Sequence, residues 1–191
     1  MAAANAPETA DEALIRDIAR GNRDAMRALF ERHRVKVFRF VLRMVRNDAN
    51  AEDLAAEVFL EVWRHAGRFQ GRSSVTTWLL AIARFKALSA LRRHRDCALD
   101  ECAATLLPDG GASPEAALAS KHNGELLRAC LGSLSVEHRA VIDLVYYHDK
   151  SIDEVAQIVN IPVSTVKTRM FYARRHLARQ LAQAGMAPEF L

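Results

Sequence analysis

The stretch Ser151-Ile152-Asp153-Glu154-Val155-Ala156-Gln157-Ile158-Val159-Asn160-Ile161-Pro162-Val163-Ser164-Thr165-Val166-Lys167-Thr168-Arg169 decides how this 191-residue chain is read. Ser151 and Glu154, three apart and next to an apolar run, form a capping box. A short helix is therefore expected, with Ile152, Val155, Ala156 and Val159 on its apolar face. Asn160-Ile161-Pro162 stops it. Ser164 is expected to cap a longer helix whose seam is Val166, Met170, Ala173, Leu177 and Leu181. A short capped helix, a three-residue turn and a longer basic helix make a helix-turn-helix. Opposite the seam stand Ser164, Thr165, Lys167, Thr168, Phe171, Tyr172 and Arg175. Cations bind guanine or phosphate, hydroxyls bind either, and an aromatic edge can touch a thymine methyl. Phe171 follows Met170 by one position, about 100° round a helix, so it lies off the core seam. Residues 163–185 also hold Lys167, Arg169, Arg174, Arg175 and Arg179 and no acid. A plain helical hairpin with a solvated basic face is the simpler alternative. The turn spacing, the capping box and the missing acids together favour DNA.

The rest of the chain also reads as helix. Gly21-Asn22 is a stop followed by an N-cap. Arg23 to Arg46 then carries Leu29, Phe30, Val37, Phe40, Val41, Met44 and Val45 in an amphipathic pattern. Asn50 is expected to cap the next helix, with Asp53 three residues on, apolar residues Leu54, Val58, Phe59, Val62 and Trp63, and an end at Gly67. After the polar loop Phe69-Gln70-Gly71-Arg72-Ser73-Ser74, a helix is expected from about Thr76 to Arg95, with Trp78, Leu79, Ile82 and Phe85 on one side. Helical pattern resumes near Ala119, and Gly132-Ser133 separates one helix from a next at roughly Val136 to Tyr147. No strand alternation and no internal repeat is visible. The fold expected is all-α: two helical domains joined by an acidic flexible linker. Their limits are 11–95 and 119–185, with a linker at 96–118, a disordered N-terminus at 1–10 and a tail at 186–191.

Charge supports that division. Residues 1–95 hold 18 basic and 11 acidic side chains, and residues 96–120 hold five acids and no base. The remaining residues, 121–191, hold 9 basic and 7 acidic side chains. Two basic blocks flanking an acidic, proline-containing bridge read as two polyanion-facing modules on a linker. Of the 27 basic residues 22 are Arg, which base composition alone could produce, but that does not explain a 23-residue span without acid. Asp53, Glu57 and Glu61 repeat every four residues on one helix face. Such a stripe is usually only solvated; inside a basic module it suits a protein partner with a basic surface. The Gln70–Ser74 loop, beside Phe69 and Trp78, has a composition that suits splayed single-stranded bases.

Other classes are poorly supported. The sequence has no P-loop, no glycine-rich dinucleotide turn and no zincin helix motif, so an enzyme carrying a helical DNA-binding domain is remote and no catalytic residue or cofactor is expected. Cys97, Cys102 and Cys130, with His94, lack common zinc spacing, so free thiols are expected rather than a metal or redox site. Their odd number points to a reducing compartment. No apolar run is long enough to span a membrane, and the first ten residues, without Lys or Arg, do not resemble a secretory signal. A cytoplasmic address follows as the expectation, with no membrane insertion.

The chain resembles the extracytoplasmic-function sigma factors, group 4 of the sigma subunits of bacterial RNA polymerase, over about residues 11–182. The resemblance rests on four ordered blocks: Gly21-Asn22-Arg23-Asp24-Ala25 with Leu29-Phe30; Ala51-Glu52-Asp53-Leu54 through Glu57-Val58-Phe59 to Trp63; Thr77-Trp78-Leu79 through Ile82-Ala83-Arg84 to Leu91-Arg92-Arg93; and Ser151 to Ala156 followed by Ile161 to Arg169. It implies an alternative sigma factor, acting in a stress or environmental response and controlled by an anti-sigma factor, that binds core RNA polymerase and directs initiation at particular promoters. By the resemblance, Asp53, Glu57, Phe59, Glu61 and Trp63 belong to the polymerase-docking helix. Phe69, Gln70, Gly71, Arg72, Ser73, Ser74, Thr77, Lys86, Arg92 and Arg93 belong to the reader of the melted −10 element. Ser164, Thr165, Lys167, Thr168, Arg169, Phe171, Tyr172 and Arg175 belong to the reader of the duplex −35 element. The linker would follow the RNA exit path, its negative charge mimicking nucleic acid. Ala56 and Phe85 stand where the family commonly has Gln and Asn, so the −10 preference is expected to be unusual. No appended regulatory domain is expected after Leu181. An inhibitor is expected to hold the modules in a compact pose that buries the docking helix, without using the cysteines. The competing reading is a helix-turn-helix regulator that never joins polymerase; such proteins usually dimerise, and no dimerisation helix is evident.

Overall fold

The computed structural model describes residues 10–98 and 126–184, with side chains up to His94 in the first segment. Cys102, the side chain of Cys97, most of the expected linker, nearly all of the expected N-terminal segment and the tail at 186–191 lie outside the described residues. The elements are α1 (Ala10–Ala19), α2 (Arg23–Val45), α3 (Asp48–His65), a 3-10 turn (Ala66–Arg68), α4 (Val75–Ala98), α5 (helical over 126–133), α6 (Val136–Tyr146), α7 (Ile152–Val159) and α8 (Val163–Gln183). The described residues contain no strand.

Local chemistry sets most of these ends. Gly21 takes φ +85°, and Asn22 Oδ1 accepts from the Asp24 and Ala25 amides at 2.9 and 3.1 Å, opening α2. The α3 cap is Asn47, not Asn50. Asn47 has extended backbone, and its side chain accepts from Asn50 N at 2.8 Å, so Asn50 is the capped donor. Both oxygens of the capping box at Ser151 and Glu154 are engaged. Asn160 closes α7 in the left-handed region at φ 52°, which Asn tolerates well. Pro162, not Ser164, is the N-cap of α8: its fixed φ of −57° and extended ψ of 146° let its carbonyl accept from Thr165 and Val166, so Ser164 already sits in the first turn. α4 continues past the expected end at Arg95 to Ala98.

α1–α4 form one bundle and α5–α8 a second, and the two pack directly together, α6 against α2 and α7 against α4. One apolar core crosses the boundary: Phe40, Val41, Leu79 and Leu80 of the first module are continuous with Val141, Leu144, Val155 and Ile158 of the second. The α8 seam closes a smaller core with Cys130, Leu134 and Ile142. Two apolar side chains depart from the expected pattern. Phe85 is 67% exposed because α4 turns Ala83 and Ala87 inward on either side of it, and Phe30 is 40% exposed at the bundle's edge.

Polar crossings join the modules at two places. At the first, Arg139 of α6 donates to the carbonyls of Arg43 and Met44 at the end of α2, at 3.0 and 3.4 Å, and to Gly132 O and Leu134 O in its own module. The last four carbonyls of a helix have no partner within it, and they favour a cation there. Arg43 answers by donating to the buried Asp143 at 2.6 Å, and its guanidinium lies 3.9 Å from the Tyr147 ring centroid. His148 Nε2 lies 3.2 Å from the other Asp143 oxygen, and its ring meets Phe40 edge-on. At the second, Glu154 of α7 accepts from Thr77 of α4 at 3.0 Å and from Lys150 at 2.6 Å, while Lys150 Nζ lies 3.5 Å from Ser74 Oγ. The α3 stripe is not covered by this closure: α3 packs on α1, α2 and α4, and Asp53 stays exposed.

Leu79 is fully buried, so Leu79→Ala should lower unfolding stability by about 2–5 kcal/mol. Phe85→Ala, at an exposed site, should change it by no more than about 0.5 kcal/mol, both read from urea denaturation. Burial alone would raise the Glu154 carboxyl, but Lys150, the Ser151 amide and Thr77 outweigh it and hold it at about 2, below its ordinary 4.5. A carboxyl lowered in the folded state contributes stability above its unfolded value and loses it as pH falls through the folded one. Stability should therefore decline between pH 4.5 and about 2, and Glu154→Gln, which keeps the cap, should flatten that part of the profile in acid titration followed by circular dichroism.

Candidate nucleic-acid and polymerase interfaces

α8 stands on the outer surface of the second module because Val166, Met170, Ala173, Leu177 and Leu181 face inward at helical spacing. Its other side carries Ser164, Lys167, Thr168 and Arg175 in the open, with Phe171 60% and Tyr172 53% exposed. The two rings meet edge-to-face at 5.5 Å. Thr168 donates its hydroxyl to Ser164 O at 3.0 Å, which leaves its lone pairs to accept from a ligand. An open groove of about 480 Å³ separates Tyr172, Arg175 and Arg179 from Ser135 and His138 at the start of α6. Thr165 is half-buried. Arg169 departs from this face: it is half-buried, its Nη1 is enclosed without a hydrogen-bond partner, and its charge bears on Glu137 and on Arg84 of the first module. The expected DNA-reading set is thus open except for Thr165, which is half-buried, and Arg169, which is turned toward the module boundary.

The loop between the 3-10 turn and α4 is pinned at both ends. Phe69 packs on Trp78 at 5.2 Å, and Gly71 takes φ +66°, a conformation that favours glycine. Ser74 accepts from Thr77 N at 3.2 Å and donates to Thr77 Oγ1 at 2.9 Å, capping α4. Gln70, Gly71 and Arg72 are exposed at the tip and Ser73 is half-buried, while Arg92 and Arg93 are exposed two to three turns beyond Arg84 on α4. Thr77 is only 1% exposed and already bound to Glu154, so in this arrangement it is not open to a base.

The α3 stripe and the −10 set, separate in the sequence reading, meet at one residue. Lys86 Nζ lies 3.2 Å from Glu57 and 3.6 Å from Glu61, and His65 Nδ1 lies 2.9 Å from Glu61. Lys86 therefore spends its charge on the stripe, and Asp53, which is exposed, is its least compensated acid. Phe59 is 4% exposed, stacked edge-on against Phe30 at 4.9 Å, and can act on a partner only by fixing the helix. Trp63 is half-buried. Leu60, 46% exposed between Glu57 and Glu61, belongs to the same surface and was not singled out from sequence, where a lone leucine carries no signal. Among the described residues no cluster of His, Cys, Asp or Glu is arranged to hold a metal ion, no helix is long and apolar enough to cross a membrane, and Cys130 is a buried free thiol.

Comparisons with known proteins agree with this geometry. The sequence matches the family models Sigma-70 region 2 over residues 29–96 and Sigma-70 region 4 over residues 124–177. The chain is 31% identical over 177 residues to the ECF RNA polymerase sigma factor SigW of Bacillus subtilis (strain 168), covering 87% of this chain and 94% of that protein. It is 32% identical over 166 residues to SigL of Mycobacterium tuberculosis (strain ATCC 25618 / H37Rv), covering 84% and 91%. Its fold is similar to CnrH, solved with the cytosolic domain of CnrY, at TM-score 0.68 and 22% identity over 92% of this chain and 99% of that one. It is also similar to the sigma factor RpoE of Bartonella quintana, solved with the anti-sigma factor NepR, at TM-score 0.65 and 20% identity over 82% and 96%. Sigma factors bind core polymerase and promoter DNA and have no enzymatic activity of their own. The chain belongs to the extracytoplasmic-function family of alternative sigma factors of bacterial RNA polymerase.

Proposed function

We propose that the two modules divide promoter recognition as the exposed surfaces suggest, in the cytoplasm, where polymerase works. α8 reads the duplex −35 element through Lys167, Thr168, Phe171, Tyr172 and Arg175. The observation that carries this is the acid-free outward face of α8, with two aromatic rings held in the open by a seam that packs behind them. The loop from Phe69 to Ser74, with Arg92 and Arg93 further along α4, takes the melted −10 strand. Asp53 and Glu57, with Leu60 beside Glu57, dock on a basic surface of polymerase. CnrH is solved in complex with the cytosolic domain of CnrY and RpoE in complex with the anti-sigma factor NepR, and that supports a separate anti-sigma factor as the regulator here.

Run-off transcription with core polymerase on a promoter library tests the whole assignment: a discrete set of promoters should become active only when this chain is added, and none doing so would overturn it. Lys167→Ala should weaken promoter duplex binding by about 1–3 kcal/mol if it reads a base. If it meets phosphate alone, binding should fall on all sequences alike and the salt slope should shrink by about one unit. Asp53→Lys with Glu57→Lys should abolish binding to core polymerase while leaving duplex affinity unchanged, as measured by co-elution and fluorescence anisotropy; normal assembly would remove the docking role from α3.

A further inference from the structure

The outward edge of α4 carries a side chain that the division of labour above leaves without a role. Phe85 is 67% exposed, more than any other large apolar residue among those described, and its ring meets none of their rings or cations. A lone exposed phenylalanine is ordinary. This one stands in a line. Trp78, Phe85 and Arg92 follow at seven-residue steps, two turns and about 10.5 Å of helix each, so they share one edge. Leu79, Ala83 and Ala87, fully buried, hold the opposite side in the core and fix that edge outward. Ala81 and Ser89, one turn before and one turn after Phe85, are small, so the line leaves room beside the ring. At its start the line joins the −10 loop, where Phe69 packs on Trp78. At its end Arg92 and Arg93 are exposed. Between Glu61 and Asp96 the sequence holds eight Lys or Arg and no acid. Acids from other elements reach α4 only to either side of the line: Glu57 and Glu61 at Lys86, Glu137 near Arg84 and Glu154 at Thr77. Arg84 and Lys86 are each about 100° round the helix from Phe85.

We infer that Phe85 is a stacking residue of the −10 reader: its ring takes the face of one unpaired base as the strand passes from the Gln70–Arg72 tip along α4 to Arg92 and Arg93. The inference rests on the −10 assignment proposed above and adds to it the chemistry of one contact. A phenyl ring has no donor or acceptor, so it does not read base edges, but every base offers it a π-face. In a duplex both faces of a base are covered by its neighbours in the stack. The ring therefore gains a partner only once the strand has melted and a base has left its stack. It adds affinity for the open strand without fixing the identity of the base it holds. Arg92 and Arg93 supply counter-ions for phosphates, which position the strand and carry no sequence information. Base identity is then left to the polar loop. An exposed ring would also suit a protein partner. The acid-free span around it and the continuity of its line with the loop favour a nucleic-acid strand.

The test uses holoenzyme assembled from core polymerase and the full chain. Its probe is a labelled fork from the strongest promoter found by run-off, duplex through −35 and single-stranded through −10. Phe85→Ala should weaken fork binding roughly 5- to 150-fold, the range of one base–aromatic stack. Phe85→Leu, apolar but without a π-face, should lose nearly as much. An abasic site walked along the single strand should reproduce the loss at one position, and at that position Phe85→Ala should cost nothing further. Exchanging that base for another should cost far less than removing it. Full fork binding by Phe85→Ala, full binding by Phe85→Leu, or losses that add at every abasic position would overturn the inference. So would failure of Phe85→Ala to co-elute with core polymerase, which would give the ring to a protein contact. Gln70→Ala with Arg72→Ala, run beside these, separates the two claims. Weak fork binding by that pair with full binding by Phe85→Ala makes only the stacking role wrong. Full binding by both, or a run-off screen that yields no promoter, removes the −10 assignment and the inference together.

Discussion

The molecule's arrangement depends on the pairing of Arg139 and Asp143 on α6 with the C-terminal turn of α2. Two charges are taken out of water there, at a desolvation cost of several kcal/mol per ion unless they are fully satisfied. Arg139 offsets part of that cost with four carbonyls from both modules, and Asp143 with Arg43 in the other module, while Arg139 Nε and Asp143 Oδ2 are buried without a hydrogen-bond partner. Burial still pushes the Arg139 guanidinium down, as does the nearby Arg46, so the site holds its charge against opposition. Arg46 itself turns left-handed at the end of α2 and sends its guanidinium to within 3 Å of where a side chain on Gly132 would begin. A larger residue at 132 would need Arg46 to move, so a glycine at that turn fits the crossing of α2 and α5.

Such crossings do not add up like surface ion pairs. Exposed pairs such as Arg27–Glu31 contribute at most about 1 kcal/mol, whereas removing one partner of a buried pair costs about 3–5 kcal/mol. The apolar core shared by Val141, Leu144, Val155 and Ile158 with α2 and α4 supplies the non-directional attraction, and the buried polar contacts fix which faces meet. An association of this kind is specific yet separable: water can solvate every group involved once the modules part. A promoter factor that must span two DNA elements needs that property.

Much of the fold was legible in the sequence because helix punctuation is local. The Gly21-Asn22 stop and cap, the capping box at Ser151 and Glu154, and the α8 seam at Val166, Met170, Ala173, Leu177 and Leu181 each depend on residues within a turn or two. Asn47 and Asn50 have the same chemistry, so sequence alone could not choose the cap; backbone angles did. The outward face of α8 was legible for the same reason as its seam. Arg169 was not, because its direction is set by Glu137 and the boundary with Arg84, far away in sequence. Thr77 and Lys86 illustrate the same limit: one is taken by Glu154, 77 residues on, and the other by two acids on the preceding helix. Phe59 followed the apolar pattern of α3 into the core, although the family resemblance had placed it among partner contacts.

The central claim is that one chain carries two promoter-reading modules held together by its own buried contacts, and that these contacts must release for it to work as a polymerase subunit. Hydrogen–deuterium exchange of the whole, unsubstituted chain, free and then bound to core polymerase, tests it most directly. The account predicts strong protection of the last turn of α2 and of α6 and the start of α7 in the free chain, and faster exchange at all three in the holoenzyme. Equal protection of those segments in both states would contradict it.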